Sequence, residues 1–503
     1  MPKFSITIFL LILSAIPVSA QQPTTHQLAL EAIDLATNLH YKEAAVIFEE
    51  IIRREPDNPM GYFLRSAVYF WMFSEDVKNE KIGDKFRDLS YKAVEVAEAK
   101  LDKDENDIDA MFFLGGAYGS LGRYYAMTKS YLNAYWYGKK GMNYLEDVVE
   151  LDSTYYDAYL GLGIYHYLAD VLPRFIKILS FILGVDGNKE LGIHEIELAA
   201  EKGTYSKTEA MFFLAAIYTY REREYEKAIK IFNQLLEKYP NNPGALLSLG
   251  RCYSNMGECD LAIGAYEKIL RNKESQSRLP RGSVHYQLGD VYYKKNDFAR
   301  SRDHYLLAIA SDTAEVGKKR WITPWAHYKV SQCYEILGNK ERAMYHLKLV
   351  SEVDNERAYE RAQQRLDNYM QEIDILLIKA DNLEECNQYA RSLVLLDQIE
   401  EEYKDHNDPY IKEKLFEVEF RRAEIYYEQQ NFNLAIAQFQ QFILIENIDD
   451  ESLKYWSYYY LGNCYKALGD YKKAREAYDA AEDTDSDRLL EHIEDERKDI
   501  ADD

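Results

Sequence analysis

At 503 residues the chain is several times the usual single-domain length, which excludes one compact core in favour of several domains or a repeat array. Only 24 glycines and 11 prolines, set against 44 tyrosines and 47% hydrophobic residues, argue against a β-sandwich, a propeller or a disordered linker and for a mostly helical chain. With 61 basic against 85 acidic side chains the net charge is -24, so the basic face that nucleic acid or an anionic membrane surface requires is not expected.

In chain order, residues 1–20 (MPKFSITIFLLILSAIPVSA) place Lys3 before an apolar stretch from Phe4 to Ile16 and end on Val18-Ser19-Ala20. This is the layout of a cleaved secretory signal, since the apolar stretch is shorter than the roughly 20 residues a bilayer span needs. Export to the periplasm or cell envelope is the expected location. Residues 21–204 read as a block of degenerate helical repeats with inserted helices, one of them lengthened and charged over 76–105. Within that block the period breaks between Ala158 and Gly203. A short helix over 172–184 there is apolar nearly all round, with Phe175, Leu179 and Ile182 as candidate contacts to a partner or a membrane. Residues 205–351 form a regular repeat block, 352–370 a charged helical connector, 371–481 a C-terminal repeat block, and 482–503 an acidic capping helix or tail.

The repeat itself is most legible at 240–270 (PNNPGALLSLGRCYSNMGECDLAIGAYEKIL) and 454–481 (KYWSYYYLGNCYKALGDYKKAREAYDAA). Both carry Leu-Gly-x-x-Tyr, then Gly, then Ala, then an aromatic four residues later. In one copy these are Leu249, Gly250, Tyr253, Gly257, Ala262 and Tyr266; in the other, Leu461, Gly462, Tyr465, Gly469, Ala474 and Tyr478. Leu288, Gly289, Tyr292, Phe298 and Tyr305 mark a third copy, Tyr334, Gly338 and Ala343 a fourth. About eleven repeat-like units can be phased, and the pattern resembles the tetratricopeptide repeat family over most of the chain. That resemblance implies an all-α, TPR-type α-solenoid, a right-handed superhelix of antiparallel helix pairs. In each pair a small residue of the first helix admits the second, whose alanine meets it, and aromatics fill the gaps between neighbouring pairs. Over some 40 residues the segment after Ala158 also resembles the eukaryotic inclusion-body clearance family of TPR proteins.

Three of the five cysteines, Cys252, Cys333 and Cys464, fall at one position of the first helix and read as small packed residues, too far apart along a solenoid to pair. Cys259 lies across a turn from Cys252, and Cys386 falls in a degenerate repeat; the sequence assigns a partner to neither.

Convergent polar residues of the kind catalysis needs are hard to find. His194-Glu195 lacks a second histidine at zinc spacing, and Gly115-Gly116 and Gly161-Leu162-Gly163 lie in repeat helices with no preceding strand. No catalytic residue, metal site or cofactor is expected. What the resemblance implies instead is a groove lined by the first helix of each pair, binding a protein or peptide. The family's groove positions fall on Arg251, Asn255, Tyr286, Asp290, Tyr293, Lys294, Tyr328, Gln332, Glu335, Tyr459, Asn463 and Lys466. Tyrosines with polar neighbours suit peptide recognition, because a tyrosine buries large area at small entropic cost. The expected function is a non-enzymatic scaffold; the alternative is an envelope or outer-membrane assembly factor that docks on a membrane or β-barrel through the 172–184 helix.

Overall fold

A computed structural model describes residues 23–171, 187–272, 281–312, 322–353, 355–445, 452–484, 486–498 and 500. The expected signal segment 1–20 and the apolar 172–184 helix, with Phe175, Leu179 and Ile182, lie outside the described residues. Among the described residues there are twenty-four helices, and none is long and apolar enough to cross a membrane. They form two compact units, Met1–Leu214 and Ala215–Asp503.

The first unit contains α1 (Thr25–Thr37), α2 (Tyr41–Arg54), α3 (Pro59–Glu75), α4 (Glu80–Leu101), α5 (Ile108–Met127), α6 (Tyr131–Leu151), α7 (Ala158–Asp170) and α8 (Lys189–Lys202), and α9 (Lys207–Tyr220) runs across the division. Helices pair in sequence, α1 with α2 through α7 with α8. The lengthened charged element is α4, 22 residues long. Glycine lets α5 and α6 touch backbone to backbone, since a Cβ on Gly141 would sit 2.6 Å from the amide nitrogen of Gly119. At the start of α9, Asp157 substitutes for a local cap. Its Oδ1 accepts hydrogen bonds from the backbone N–H groups of Thr204, Tyr205 and Ser206 at 2.8–2.9 Å and from the Ser206 hydroxyl at 2.7 Å.

The second unit continues with α10 (Tyr225–Lys238), α11 (Pro243–Asn255), α12 (Cys259–Arg271), α13 (Arg281–Lys294), α14 (Phe298–Asp312), α15 (Ile322–Ile336), α16 (Lys340–Lys348) and α17 (Glu356–Asp367). It ends with α18 (Glu372–Glu385), α19 (Tyr389–Tyr403), α20 (Pro409–Glu428), α21 (Phe432–Ile443), α22 (Ser452–Ala467), α23 (Tyr471–Ala481) and α24 (Asp487–Lys498). Among the described residues ten helix pairs pack in sequence, with α9 at the division followed by α10, α17 as the connector and α24 as the end cap. This is the architecture of a TPR-type solenoid.

The start signals work as the sequence implies. Pro59, Pro243 and Pro409 occupy the first turn of α3, α11 and α20, where the missing N–H costs little, and Asn58, Asn242 and Asp408 before them each accept a backbone N–H at 2.9–3.0 Å. The small residue within each pair has a more specific purpose than helix approach alone. Gly250, Gly289 and Gly462 lie directly under the rings of Tyr266, Tyr305 and Tyr478, so close that a Cβ at any of them would overlap the ring. Those three tyrosines are fully buried inside their own pair, not between neighbouring pairs. Cys252, Cys333 and Cys464 are buried and unpaired, as their position suggested.

A second periodic feature is conformational. Nine helices are preceded, two residues before their start, by a residue with positive φ: Leu39, Lys129, Arg223, Gly257, Asn296, Gly338, Asn387, Gln430 and Gly469, between 56° and 77°. Only three are glycine, although the left-handed region costs an L-residue about 1–2 kcal/mol. The turn is therefore imposed by helix pairing even where the local residue resists it. Replacing Arg223 or Gln430 with glycine should raise the unfolding free energy by about 0.5–1 kcal/mol each, measured by denaturant melts; an unchanged or lower stability would contradict the imposed turn.

Two adjacent repeats also hold matched histidine pairs. His285 and His304 approach through their Nδ1 atoms at 3.1 Å, His327 and His346 at 2.9 Å, each pair joining the first helix to the second. Burial and the neighbouring imidazole depress His285 and His327 to about 4, and burial lowers His304 and His346. One N–H per pair then bonds the other ring nitrogen. Because the folded values lie below the unfolded value of about 6.5, the unfolded chain binds more protons and this stabilisation is full above pH 6.5 and lost as pH falls toward 4. Unfolding free energy should drop by on the order of 2 kcal/mol per pair across that window. A His285→Gln/His327→Gln variant should show a shallower acid-side loss than the parent in melts from pH 7.5 to 4.

Candidate functional site

The expected groove positions separate into two sets in the second unit. The first set sits on α11, α13 and α15, and much of it is engaged by the chain itself. Helix α18 returns to α13, where Asn382 Nδ2 donates to the Tyr293 carbonyl at 2.9 Å and to Asn296 Oδ1 at 2.8 Å, and Asn296 Nδ2 donates to the Lys379 carbonyl at 3.0 Å. Lys294 Nζ donates to the Ser254 carbonyl at 3.2 Å and pairs with Glu385 at 3.1 Å. Asn387 Nδ2 donates to the Met256 carbonyl at 2.7 Å, and Cys259 and Cys386 form a disulfide with Cα atoms 6.1 Å apart. Thus the two cysteines that the sequence left unassigned pair with each other across 127 residues. Glu335 on α15 accepts from Arg365 Nε of α17 at 3.2 Å and from the Met370 amide. Ile378 of α18 packs into the core beside Tyr293.

Consequently Tyr293, Lys294 and Glu335 are held in contacts within the chain. Tyr286 is buried beside Tyr305, whose hydroxyl donates to Asp290, and burial pushes the Asp290 carboxyl up against the opposing charge of Lys329. Arg251 donates to the Tyr220 hydroxyl at 3.0 Å, Asn255 is exposed, and Tyr328 is half-buried beside Trp325. Gln332 lines a small cavity of about 220 Å³ with Arg365, Asp374, Asp381, Tyr410 and Lys414.

The second set lies at a larger open cavity of about 670 Å³, walled by α20, α22 and α24. Helix α20 contributes one continuous face, Glu413, Glu417, Phe420, Arg421, Glu424 and Tyr427, at the three- and four-residue steps that align side chains on a helix. Trp456, Tyr459, Tyr460 and Asn463 come from α22, and Arg488, His492 and Glu496 from α24. Trp456 stands edge-on to Tyr459, with ring centroids 5.6 Å apart, and 5.9 Å from His492. Asn463 is fixed by its neighbours: Tyr478 donates to its Oδ1 at 2.7 Å and its Nδ2 donates to the Tyr427 hydroxyl at 3.4 Å. Lys466 ties the cap to the wall, donating to Glu496 Oε2 at 2.7 Å and to the Glu496 carbonyl at 3.2 Å.

Where this cavity adjoins the smaller one, sharing Lys414 and Glu417 with it, charged groups crowd together. Burial pushes Asp381 of α18 up to about 7 and its neighbour Glu384 up to about 8, and burial also raises Glu424. Burial opposes the charge of Arg421, but the surrounding carboxyls, Asp381 and Glu424 foremost, outweigh it and hold the guanidinium charged. Arg421 lies 3.1 Å from Asp381 and 3.5 Å from Glu424, while Lys414 pairs with Glu417 at 2.8 Å and lies 3.8 Å from Asp374. The sequence-derived set found Tyr459 and Asn463 here and missed the α20 face and Trp456. A groove template counted on the clearest repeats could not reach the α20 face, because α20 carries a degenerate copy, whereas Trp456 lies in a clear copy one helical turn before Tyr459.

Tetratricopeptide repeat models match residues 220–279, 282–314, 417–444 and 456–487, so the chain carries repeats of that family. A search of curated protein sequences finds no match. Similar solved structures include Pseudomonas aeruginosa pilF, 16% identical over 50% of this chain and 97% of that one with a TM-score of 0.34, and yeast Tom70, 15% identical over 88% and 89% with a TM-score of 0.31. A human IFIT1 dimer is 13% identical over 92% and 95%, with a TM-score of 0.34. The likeness is one of helical repeats.

The back-docked α18 makes the disulfide a stability element. Closing a loop this long restricts the unfolded chain, so a Cys386→Ser variant should lose about 2–5 kcal/mol of unfolding free energy. Denaturant melts with and without a reducing thiol check this: the thiol should lower the parent to the level of the variant and leave the variant unchanged.

Proposed function

We propose that the chain is a non-enzymatic scaffold that holds a segment of another protein in the cavity between α20, α22 and α24. TPR repeats suggest protein–protein interaction in general; the observation that carries the specific site is that this cavity joins an aromatic wall to a charged floor and is open to solvent. The equivalent faces of α13 and α15 are engaged by α17 and α18, which directs a partner of the second unit to the C-terminal repeats. Among the positions proposed from the sequence, Tyr459, Asn463 and Lys466 then belong to the binding wall or its support, and Arg251, Asn255 and Tyr328 to a flank.

The proposed location is the periplasm or cell envelope. Two observations support it: the secretory layout of residues 1–20, and the Cys259–Cys386 disulfide, a bond that persists in oxidising compartments. Mass spectrometry of the protein recovered from an envelope fraction should find Gln21 at its N-terminus.

A photo-crosslinking residue placed at Trp456 or Tyr460 should capture one defined partner from an envelope extract. The same residue at exposed Val394 or Leu434, on α19 and α21, should not. Identical partner sets from the two pairs of positions would remove the cavity as the binding site.

A further inference from the structure

The acidity of the chain has one long gap. From Ala110 to Leu145 no aspartate or glutamate occurs in 36 residues, where 85 acids spread over 503 would place about six, while Arg123, Lys129, Lys139 and Lys140 do occur. The gap takes in nearly all of α5, the turn after it and most of α6. Glycine joins these two helices: besides Gly141 against Gly119, a Cβ on Gly122 would sit 2.9 Å from the Gly138 amide nitrogen. With backbone filling the space between them, the large side chains of α6 find no place inside the pair.

Those side chains stand beside the pair and on its outer face. Tyr137 stacks on Tyr125 with ring centroids 5.3 Å apart and on Tyr118 at 6.0 Å, and the Tyr91 hydroxyl of α4 meets those of Tyr125 and Tyr137 at 2.8 and 3.2 Å. Trp136 stands edge-on against Tyr137 at 4.9 Å, so a raft of rings supports it. Outward, Leu132, Tyr135, Trp136 and Lys139 follow the three- and four-residue steps that align side chains on a helix. Leu132 is 83% exposed, Trp136 55% and the adjoining Tyr131 63%, and packing within their unit covers none of them. Neighbouring α4 holds the acids Glu80, Asp84, Asp88, Glu95 and Glu98, of which Asp84, Glu95 and Glu98 pair with Arg87, Lys92 and Lys140. Arg123 pairs with Glu209 at 2.9 Å, and Lys129 stands exposed in the turn between α5 and α6.

We propose that this face docks on a lipid bilayer, with Tyr131, Leu132 and Trp136 seated in its interfacial layer and Lys129 and Lys139 directed to lipid phosphates. Tryptophan and tyrosine favour that layer because their rings are apolar and their N–H and O–H remain wet, and lysine reaches headgroups along an apolar stem. A carboxylate carried into the layer would lose its water, which gives the acid-free gap a physical reason that recognition of a protein does not require. The net charge of -24 does little to oppose contact, since at physiological ionic strength charges more than about 8 Å away are largely screened. Contact is peripheral: among the described residues no helix is long and apolar enough to cross a membrane.

The test uses the chain from Gln21 onward, so that the apolar segment before it cannot itself bind lipid, and flotation with vesicles of phosphatidylethanolamine and phosphatidylglycerol in a three-to-one ratio. The parent is expected to float, and a Leu132→Ser/Trp136→Ser variant with the parent's thermal midpoint to lose about ten-fold or more in partitioning. Leu132→Glu, at a site almost wholly exposed, should lose as much and decides alone if the double variant melts lower. A Phe175→Ser/Leu179→Ser/Ile182→Ser variant should float as the parent does. Brominated lipid should quench the parent's tryptophan emission, and Trp136→Phe should lose most of that quenching while still floating. A parent that stays off the vesicles, unchanged flotation of the Leu132 and Trp136 variants, dependence on the 172–184 segment instead, or quenching unaffected by Trp136→Phe would overturn the proposal. A photo-crosslinking residue at Leu132 that captures a protein while the parent ignores vesicles would overturn it in favour of a protein partner.

Discussion

In three of the helix pairs, the burial of one tyrosine over a residue without a side chain is the contact on which the packing of the pair depends. Tyr266, Tyr305 and Tyr478 each lie fully enclosed on Gly250, Gly289 and Gly462. A large ring on a bare backbone sets the distance and the crossing of the two helices at once, and adding even one methyl group there would force a well-packed ring to move. A left-handed residue before the second helix accompanies that contact, and it recurs in pairs such as α1–α2 and α20–α21 that lack the glycine. Once the two helices are held at that separation, the connecting turn has a single geometry, and Leu39, Arg223 and Gln430 adopt it despite their side chains.

Repetition of this unit also explains how the second unit treats its own inner face. Equivalent faces in successive repeats are similar, so a segment able to pack on one can be supplied by the chain. The α17–α18 region does so, and its contacts with α13 and α15 are largely directional: amide to carbonyl at Asn382 and Asn296, lysine to carbonyl and carboxylate at Lys294, arginine to carboxylate at Glu335. The disulfide joins the same two regions. What remains open is the part of the inner face that no later repeat covers, between α20, α22 and the end cap α24. There Glu413, Glu417, Glu424 and Glu496 stand among Lys414, Arg421 and Arg488 beside the rings of Trp456, Tyr459 and Tyr460, which gives the cavity its chemical character.

The chain's acidity can be apportioned on this basis. Many of the carboxylates form exposed pairs one helical turn apart, such as Arg53 with Glu50 or Lys404 with Glu401, which contribute little stability. The group around Arg421 differs because its members are withdrawn from water, and a charge imbalance there has energetic consequences that the same imbalance on an exposed face would not.

The sequence by itself determined the helix pairs. Their prolines at the first turn, their packed cysteines and the small residue that admits the second helix all lie within about 34 consecutive residues, where spacing along the chain fixes what touches what; that a tyrosine of the same pair covers that small residue was decided by packing, since the sequence placed the aromatics between neighbouring pairs. Two things it could not determine are pairings across long separations. Cys259 meets Cys386, and Asn382 meets Tyr293, because several repeats add their small rotations before α18 comes round to α13. No local pattern encodes that sum. For the same reason the sequence placed groove positions evenly along the clearest repeats, whereas tertiary structure committed Tyr293, Lys294 and Glu335 to the chain itself and left Glu417, Glu424 and Trp456 around an open cavity.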